Sequence, residues 1–227
     1  ELYYFKYREP SVMQETGTFW GINAAYTFRQ GIMLRAEGRG AGGKVDYKNS
    51  GTLDNINDYT LEFRGLGGYG FPVFSTTVVT PYAGIGYRYL NDDTAGKVTS
   101  TGALGYLRES NYIYSPLGFE TTTSLDNGWS FGFTLEYDYF WKGIQKSHLS
   151  GAISGLNDLE NDQNEGFGAR ASVKISKKDD EMGEEITFTI EPFIRYWNIK
   201  KSEEEDITYT GVIVGYGYEP KNNTVEV

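Results

Sequence analysis

The chain contains no cysteine, which removes disulfides, thiol nucleophiles and thiolate-bound metals. It has a single histidine, His148, so every histidine-dependent reaction considered below converges on one position. No stretch approaches the ~18 consecutive apolar residues of a membrane helix, so any crossing of a bilayer must be made by strands. Basic residues are outnumbered, 21 Lys and Arg against 31 Asp and Glu. The resulting net charge of -10 argues against a nucleic-acid partner. No Pro-rich, Ser-rich or charge-block linker divides the chain, and residues 1–227 are expected to form one domain. No charged and apolar leader precedes the first residues, which leaves open whether a signal peptide has been removed.

What is abundant is aromatic residues and glycine: 19 Tyr, 13 Phe, 4 Trp and 29 Gly against only 6 Pro. That mixture favours long twisted strands. Residues 129–141 carry the pattern most cleanly. Trp129, Phe131, Phe133, Leu135, Tyr137, Tyr139 and Trp141 fall on one face, and Ser130, Gly132, Thr134, Glu136 and Asp138 on the other. The length suits a tilted bilayer crossing of about 9 to 11 residues, with aromatics at both ends where headgroups would lie.

The same alternation predicts ten strands. They comprise a first strand ending at Glu9-Pro10, then Phe19–Arg29, Ile32–Gly42, a fourth through Tyr59–Arg64, a fifth through Val79–Tyr89, and a sixth reaching Leu125. The seventh is the 129–141 stretch, after a hairpin turn at Asp126-Asn127-Gly128. An eighth through Phe167–Ile175, a ninth through Ile186–Tyr196 and a tenth from Asn222 to Val227 complete the set. Connections after the second, fourth, sixth and eighth strands are short, the eighth being followed by Lys177–Glu184. Those after the third, fifth, seventh and ninth are long and polar, the first of them running to about Asn57. This asymmetry predicts an all-β fold: a ten-stranded antiparallel transmembrane β-barrel with short periplasmic turns and long extracellular loops.

Charges inside the strands fall opposite the aromatics. Lys6, Arg8, Arg29, Arg35, Arg39, Arg64, Arg88, Arg170, Lys174 and Arg195 are expected to face the lumen with Glu37, Glu62, Glu120, Glu136, Asp138 and Glu191. Trp20, Phe28, Tyr87, Tyr89, Trp129, Tyr139, Trp141 and Tyr196 are expected to form the outward aromatic girdle. Ten strands lie near the size at which side chains fill a barrel. Pairing of these charges within a filled lumen is therefore preferred over an open pore, because unpaired buried charges are costly.

The ten-strand pattern, the strand Thr80–Tyr89 and the segment Tyr218–Glu226 resemble bacterial outer-membrane β-barrel proteins of the opacity-protein-like superfamily. The resemblance covers the whole chain. It implies a Gram-negative outer membrane, with lipid and lipopolysaccharide as surroundings, a cleaved signal peptide and insertion by the general barrel-assembly machinery. It assigns no function, since function follows sites and not folds.

Catalytic constellations are thin. His148 and Ser150 have the His-x-Ser spacing of outer-membrane lipid A deacylases, with Glu160 as a third member, but Gly151 stands where that family has Asn. Outer-membrane aspartyl-type proteases need an Asp pair facing an Asp-His pair. Asp92-Asp93 supplies the first, but Lys146 removes the Asp-x-His. Asp158, Glu160, Asp162 and Asn164 start like a calcium loop, but Gln163 and Ala169 replace its glycine and closing glutamate. No cofactor and no metal site is expected. The reading is a non-enzymatic surface barrel whose loops, carrying Tyr106, Tyr112, Tyr209 and Tyr216, serve adhesion, recognition or envelope structure toward a surface ligand the sequence leaves undefined. A narrow porin-like channel with a basic lumen is the alternative, and an outer-membrane enzyme the third reading.

Two expectations concern the end of the chain. Residues 207–218 are β-prone but would spoil the alternation of connections, so they should fold at the outer rim instead of crossing. The tenth strand should pair with the first, with Val225 and Val227 outward and Thr224 and Glu226 inward. At six residues it is short for a crossing, so the natural strand is expected to continue.

Overall fold

Strict two-residue alternation builds almost all of the molecule. The structure is a computed structural model and describes residues 1–179 and 186–227; part of the expected turn 177–184 lies outside the described residues. Its strands are β1 (Leu2–Glu9), β2 (Met13–Gln30), β3 (Ile32–Lys48), β4 (Leu53–Tyr69), β5 (Phe71–Phe74), β6 (Thr77–Asp93), β7 (Leu107–Ser124) and β8 (Trp129–Ser147). They continue with β9 (Leu159–Gln163), β10 (Gly166–Asp179), β11 (Ile186–Ile190), β12 (Phe193–Ile199), β13 (Glu205–Tyr209), β14 (Val212–Gly217) and β15 (Asn222–Glu226). Among the described residues, no helix is long and apolar enough to cross a membrane.

The fold is a closed antiparallel barrel of 10 wall strands. β1, β2, β3, β4, β6, β7, β8 and β10 follow one another around it, β11 and β12 share the next position, and β15 closes the circle between β12 and β1. The closing register pairs Phe5 with Glu226 and Arg8 with Asn223 on one side, and Arg195 with Glu226 on the other. Thr224 and Glu226 are buried while Val227 is half exposed, the facing expected from parity. Through β1 and β15 closure removes the unpaired edge that an open sheet would expose, while residues 22–30 of β2 and strand β11 are each paired on one side alone.

At one end the connections are tight. Gly31, at φ +72, joins β2 to β3, and Asn127 and Gly128, both at positive φ, turn β7 into β8. At the other end the wall is taller than the sequence suggested. β3 runs to Lys48 and β4 begins at Leu53, so most of the stretch expected as loop up to Asn57 is hairpin. The reason is that alternation continues there with polar residues outside, Lys44, Asp46 and Lys48, while Val45 and Ile56 remain inside and buried. β13 and β14 form a separate two-stranded sheet at this loop end. It is tied to the 148–158 connection by Thr208 N–H donating to Asn157 at 2.7 Å and Thr210 N–H donating to Gly155 O at 2.8 Å. Residues 207–218 thus fold on the rim and do not cross.

Two placements differ from the sequence reading. Lys6 and Arg8 are not lumen residues: Tyr3, Phe5 and Tyr7 are buried inside, while Lys6 and Arg8 share the outward face with Leu2 and Tyr4. Aromatics on both faces of β1 leave the aromatic side uninformative. Tyr112 is likewise not a loop residue but lies inside the barrel, 2 % exposed, on the face of β7 that also carries Glu120.

The interior is filled. Phe5 stacks on Phe19 at 4.4 Å, Tyr114 meets Trp197 edge-on at 4.9 Å and Tyr112 meets Phe140 at 5.5 Å. Gly86 faces this aromatic layer, and a Cβ there would run into the Tyr114 ring, whereas Gly65 faces open space. Gly86→Val is therefore expected to destabilise the barrel by about 1–3 kcal/mol through overpacking, with Gly65→Val near neutral. Urea unfolding of the two variants in lipid or detergent, followed by intrinsic fluorescence, checks the difference.

Candidate functional site

The lumen is built from inward positions of all ten wall strands, and its side chains form tiers. Nearest the tight-turn end, Glu120 on β7 receives Arg29 and Arg35, the latter at 2.9 Å. Lys174 and Glu191 approach at 3.4 Å across the mouth. A hollow of about 450 Å³ opens here between Asn23, Thr27, Arg35, Glu120, Lys174 and Glu191.

The next tier is a connected ion network. Arg64 on β4 pairs with Glu37 on β3 and with Glu136 on β8 at 2.6 Å. Arg170 on β10 pairs with Glu62, with Glu136 at 2.9 Å and with Asp138 at 3.3 Å. Tyr82 Oη donates to Glu136 at 2.8 Å and Tyr114 Oη donates to Glu62 at 2.7 Å. Above it, Glu226 collects Arg39 at 2.7 Å, Arg88 at 2.9 Å and Arg195 at 3.3 Å. Arg39 lies over the Tyr3 ring and Arg88 over Trp197, so the charge tiers merge into the aromatic layer through cation–π contacts. Charged atoms here exchange water for one another, and the pairing offsets much of the desolvation cost.

Beyond the aromatic layer lies a further group of charges that the sequence reading did not assign to the lumen. Arg108 on β7 holds Glu9 and Glu219, each at 2.6 Å, and reaches Asp92 at 3.6 Å. Tyr7 Oη donates to Glu219 at 2.8 Å. Glu15, Asp58 and Asp92 converge beside them. Extending the inward parity of the expected strands, through Glu62 to Asp58, Arg88 to Asp92 and Asn23 to Glu15, would have found these three. A vestibule of about 400 Å³, lined among others by Leu53, Tyr106, Leu149, Ile207 and Tyr218, opens above the group.

The aromatic residues singled out for a girdle lie on the outward face. Trp20 is 68 % and Trp141 57 % exposed; Phe28, Tyr87, Trp129 and Tyr139 are also exposed, and Tyr89 and Tyr196 are half-buried. Tyr139 packs on Trp141, Tyr59 on Tyr89 and Phe167 on Tyr196.

The other candidate residues are drawn apart. His148 Nε2 lies 2.7 Å from Glu109 and Nδ1 3.3 Å from Asp158, and Asp158 also accepts from the Ser150 backbone N–H at 3.0 Å. Glu160 pairs with Lys146, Asp162 with Lys142, and Asn164 donates to Glu203. The would-be calcium loop is therefore strand β9 with its oxygens committed in different directions. Asp92 points inward while Asp93 is exposed. The chain matches no protein-family model and no curated protein.

Two outcomes follow from this geometry. Removing Arg170 leaves Glu62, Glu136 and Asp138 under-compensated, so Arg170→Met is expected to cost about 3–5 kcal/mol. Lys174→Met breaks only a half-exposed pair and is expected to cost about 0–1 kcal/mol; equilibrium unfolding in lipid distinguishes them. The hydrogen bond to Glu109 raises the His148 pKa above its usual 6.5, assisted by Asp158. A raised folded-state pKa means the tether of the 148–158 connection is complete below pH ~6.5 and is lost as pH rises through the raised value. Hydrogen exchange over residues 148–158 is expected to speed up across that window, and His148→Gln to abolish the pH dependence.

Proposed function

We propose that the chain is a non-enzymatic β-barrel of a bacterial outer membrane, related to the opacity-protein-like group, which displays its tall loop end outward for adhesion, recognition or envelope structure. The observation that carries this is the sealed lumen. The ion network, the Glu226 cluster and the aromatic layer lie between the hollow at the turn end and the vestibule at the loop end, so the barrel serves as a rigid support and not as a conduit. The surroundings are argued from the outward face. Ile22, Tyr26, Leu34, Phe63, Ile85, Leu117, Leu135 and Ile194 are large, apolar and exposed, a reversal of the soluble pattern that lipid would satisfy. Trp and Tyr at both ends of that band match headgroup-level anchoring. Around β1, β12 and β15 the ladder closes the wall, as a bilayer requires, while residues 22–30 of β2 and strand β11 are paired on one side alone.

The arrangement around His148 supports the non-enzymatic reading, since both ring nitrogens face carboxylates and not a hydroxyl. A narrow channel is the competing reading, favoured by the charged residues that line the turn-end hollow. Reconstituted in a planar bilayer, the protein is expected to show negligible steady conductance, and Tyr112→Ala with Trp197→Ala, which removes two rings of the aromatic layer, to raise it. A large steady conductance of the unaltered protein would overturn the sealed-lumen reading in favour of the channel.

A further inference from the structure

Above the aromatic layer, Glu15 on β2, Asp58 on β4 and Asp92 on β6 each bring one carboxylate oxygen to within 4.8 Å of the others. Glu15 is 2 % and Asp58 6 % exposed. Glu15 Oε1, Asp58 Oδ1 and Asp92 Oδ1 are each buried with no hydrogen-bond partner among the described residues. They border a cavity of about 20 Å³, lined also by the side chains of Thr60, Asn91 and Ser110, which is room for one ion or one water.

Local charge does not balance. Arg108 is the guanidinium at this place, and its Nη2 is taken by Glu9 and Glu219, each at 2.6 Å, while its contact with Asp92 is a looser 3.6 Å through Nη1. Five buried or half-buried carboxylates thus share one guanidinium, with Lys97, whose ammonium donates to Asn55 O at 3.0 Å, lending further positive charge to Asp58 and Asp92. Unpaired oxygens in such a place must be protonated or ligated.

We infer that Glu15, Asp58 and Asp92 form a binding site for one calcium-type divalent cation at the floor of the loop-end vestibule. All the donors are hard oxygens, with no nitrogen or sulfur, which selects calcium or magnesium over softer metals. Three carboxylate oxygens from separate strands make an irregular set, which calcium's flexible coordination accepts more readily than magnesium's near-ideal octahedron. The three carboxylates come from three different wall strands, so the ion would tie β2, β4 and β6 together. Entry is direct, because Glu15, Asp92 and Arg108 line both the cavity and the vestibule. The inference is independent of whether the lumen conducts.

The test uses the full chain, folded in detergent and stripped with a chelator, titrated calorimetrically with calcium and in parallel with magnesium and manganese. One calcium per chain is expected. Asp58→Asn should weaken binding at least tenfold, while a control with Asp158→Asn and Asp162→Asn, which removes carboxylates from the neighbouring loop and strand, should leave the affinity unchanged. Thermal unfolding gives a second readout that guards against misfolding. Without cation, Asp58→Asn relieves repulsion and should melt above the parent chain; with calcium, the parent chain alone should gain Tm by linkage. The inference is overturned if the folded parent chain takes up no calcium at ~5 mM, well above the range of extracellular calcium modules. It is equally overturned if magnesium binds and calcium does not, if Asp58→Asn binds undiminished, or if uptake is lost only in the control.

Discussion

A single carboxylate governs how the barrel closes. Glu226, fully enclosed on the last strand, accepts guanidinium groups from β3, β6 and β12, three wall positions that are remote in sequence. In an interior with little water to fall back on, that carboxylate cannot be turned away without stranding Arg88 and leaving Arg39 and Arg195 to Glu1. Because the side-chain period of a strand is two, a slip of β15 by one residue would send Glu226 to the outside and Val225 to the inside. The pairing of β15 with β1 on one side and β12 on the other is thus specified from within the lumen as much as by the backbone ladder.

The tiers differ in character. Between the turn-end hollow and the vestibule most charges have more than one partner, Arg88 being held by Glu226 and the Trp197 ring, and rings pack edge-on or stacked at 4.4 to 5.5 Å. Toward either mouth the balance weakens: Lys174 and Glu191 are half exposed, and the group around Glu15 has unpartnered oxygens. Rigidity is concentrated in the middle, and chemistry that calls for an additional partner is left near the ends.

Much of the fold was legible because an inside-out barrel obeys one rule over many residues. The 129–141 stretch and the facing of Glu226 followed from parity, the turn at Asn127-Gly128 from its turn residues, and the rim position of 207–218 from the alternation of short and long connections. The rule failed where its premise failed. On β1 both faces carry aromatics, so Lys6 and Arg8 were assigned to the wrong side. On β8 a bulge opposite Ile113 and Tyr114 shifts the phase, so that Gln145 and Ser147 become the buried residues; composition alone gives no sign of that extra residue. Above the apolar band the outer face turns polar and the inner face mixes Val45 and Ile56 with carboxylates, so strand reads as loop. Asp58, Asp92 and Glu15 were lost there, although the parity of Glu62, Arg88 and Asn23 already pointed to them.

The height of the wall has a consequence for whatever the loop end touches. Strands of 17 to 19 residues, such as β3 and β8, exceed by about six or more the ~9 to 11 needed to cross a bilayer. The surplus is hydrogen-bonded ladder, so the loop-end surface is already ordered before any encounter. A partner that lands on it forgoes most of the entropic penalty that flexible loops impose. Selectivity on such a platform would come from a few side chains at fixed spacing, and amino-acid exchanges on its outer face could alter what is recognised without disturbing the frame beneath.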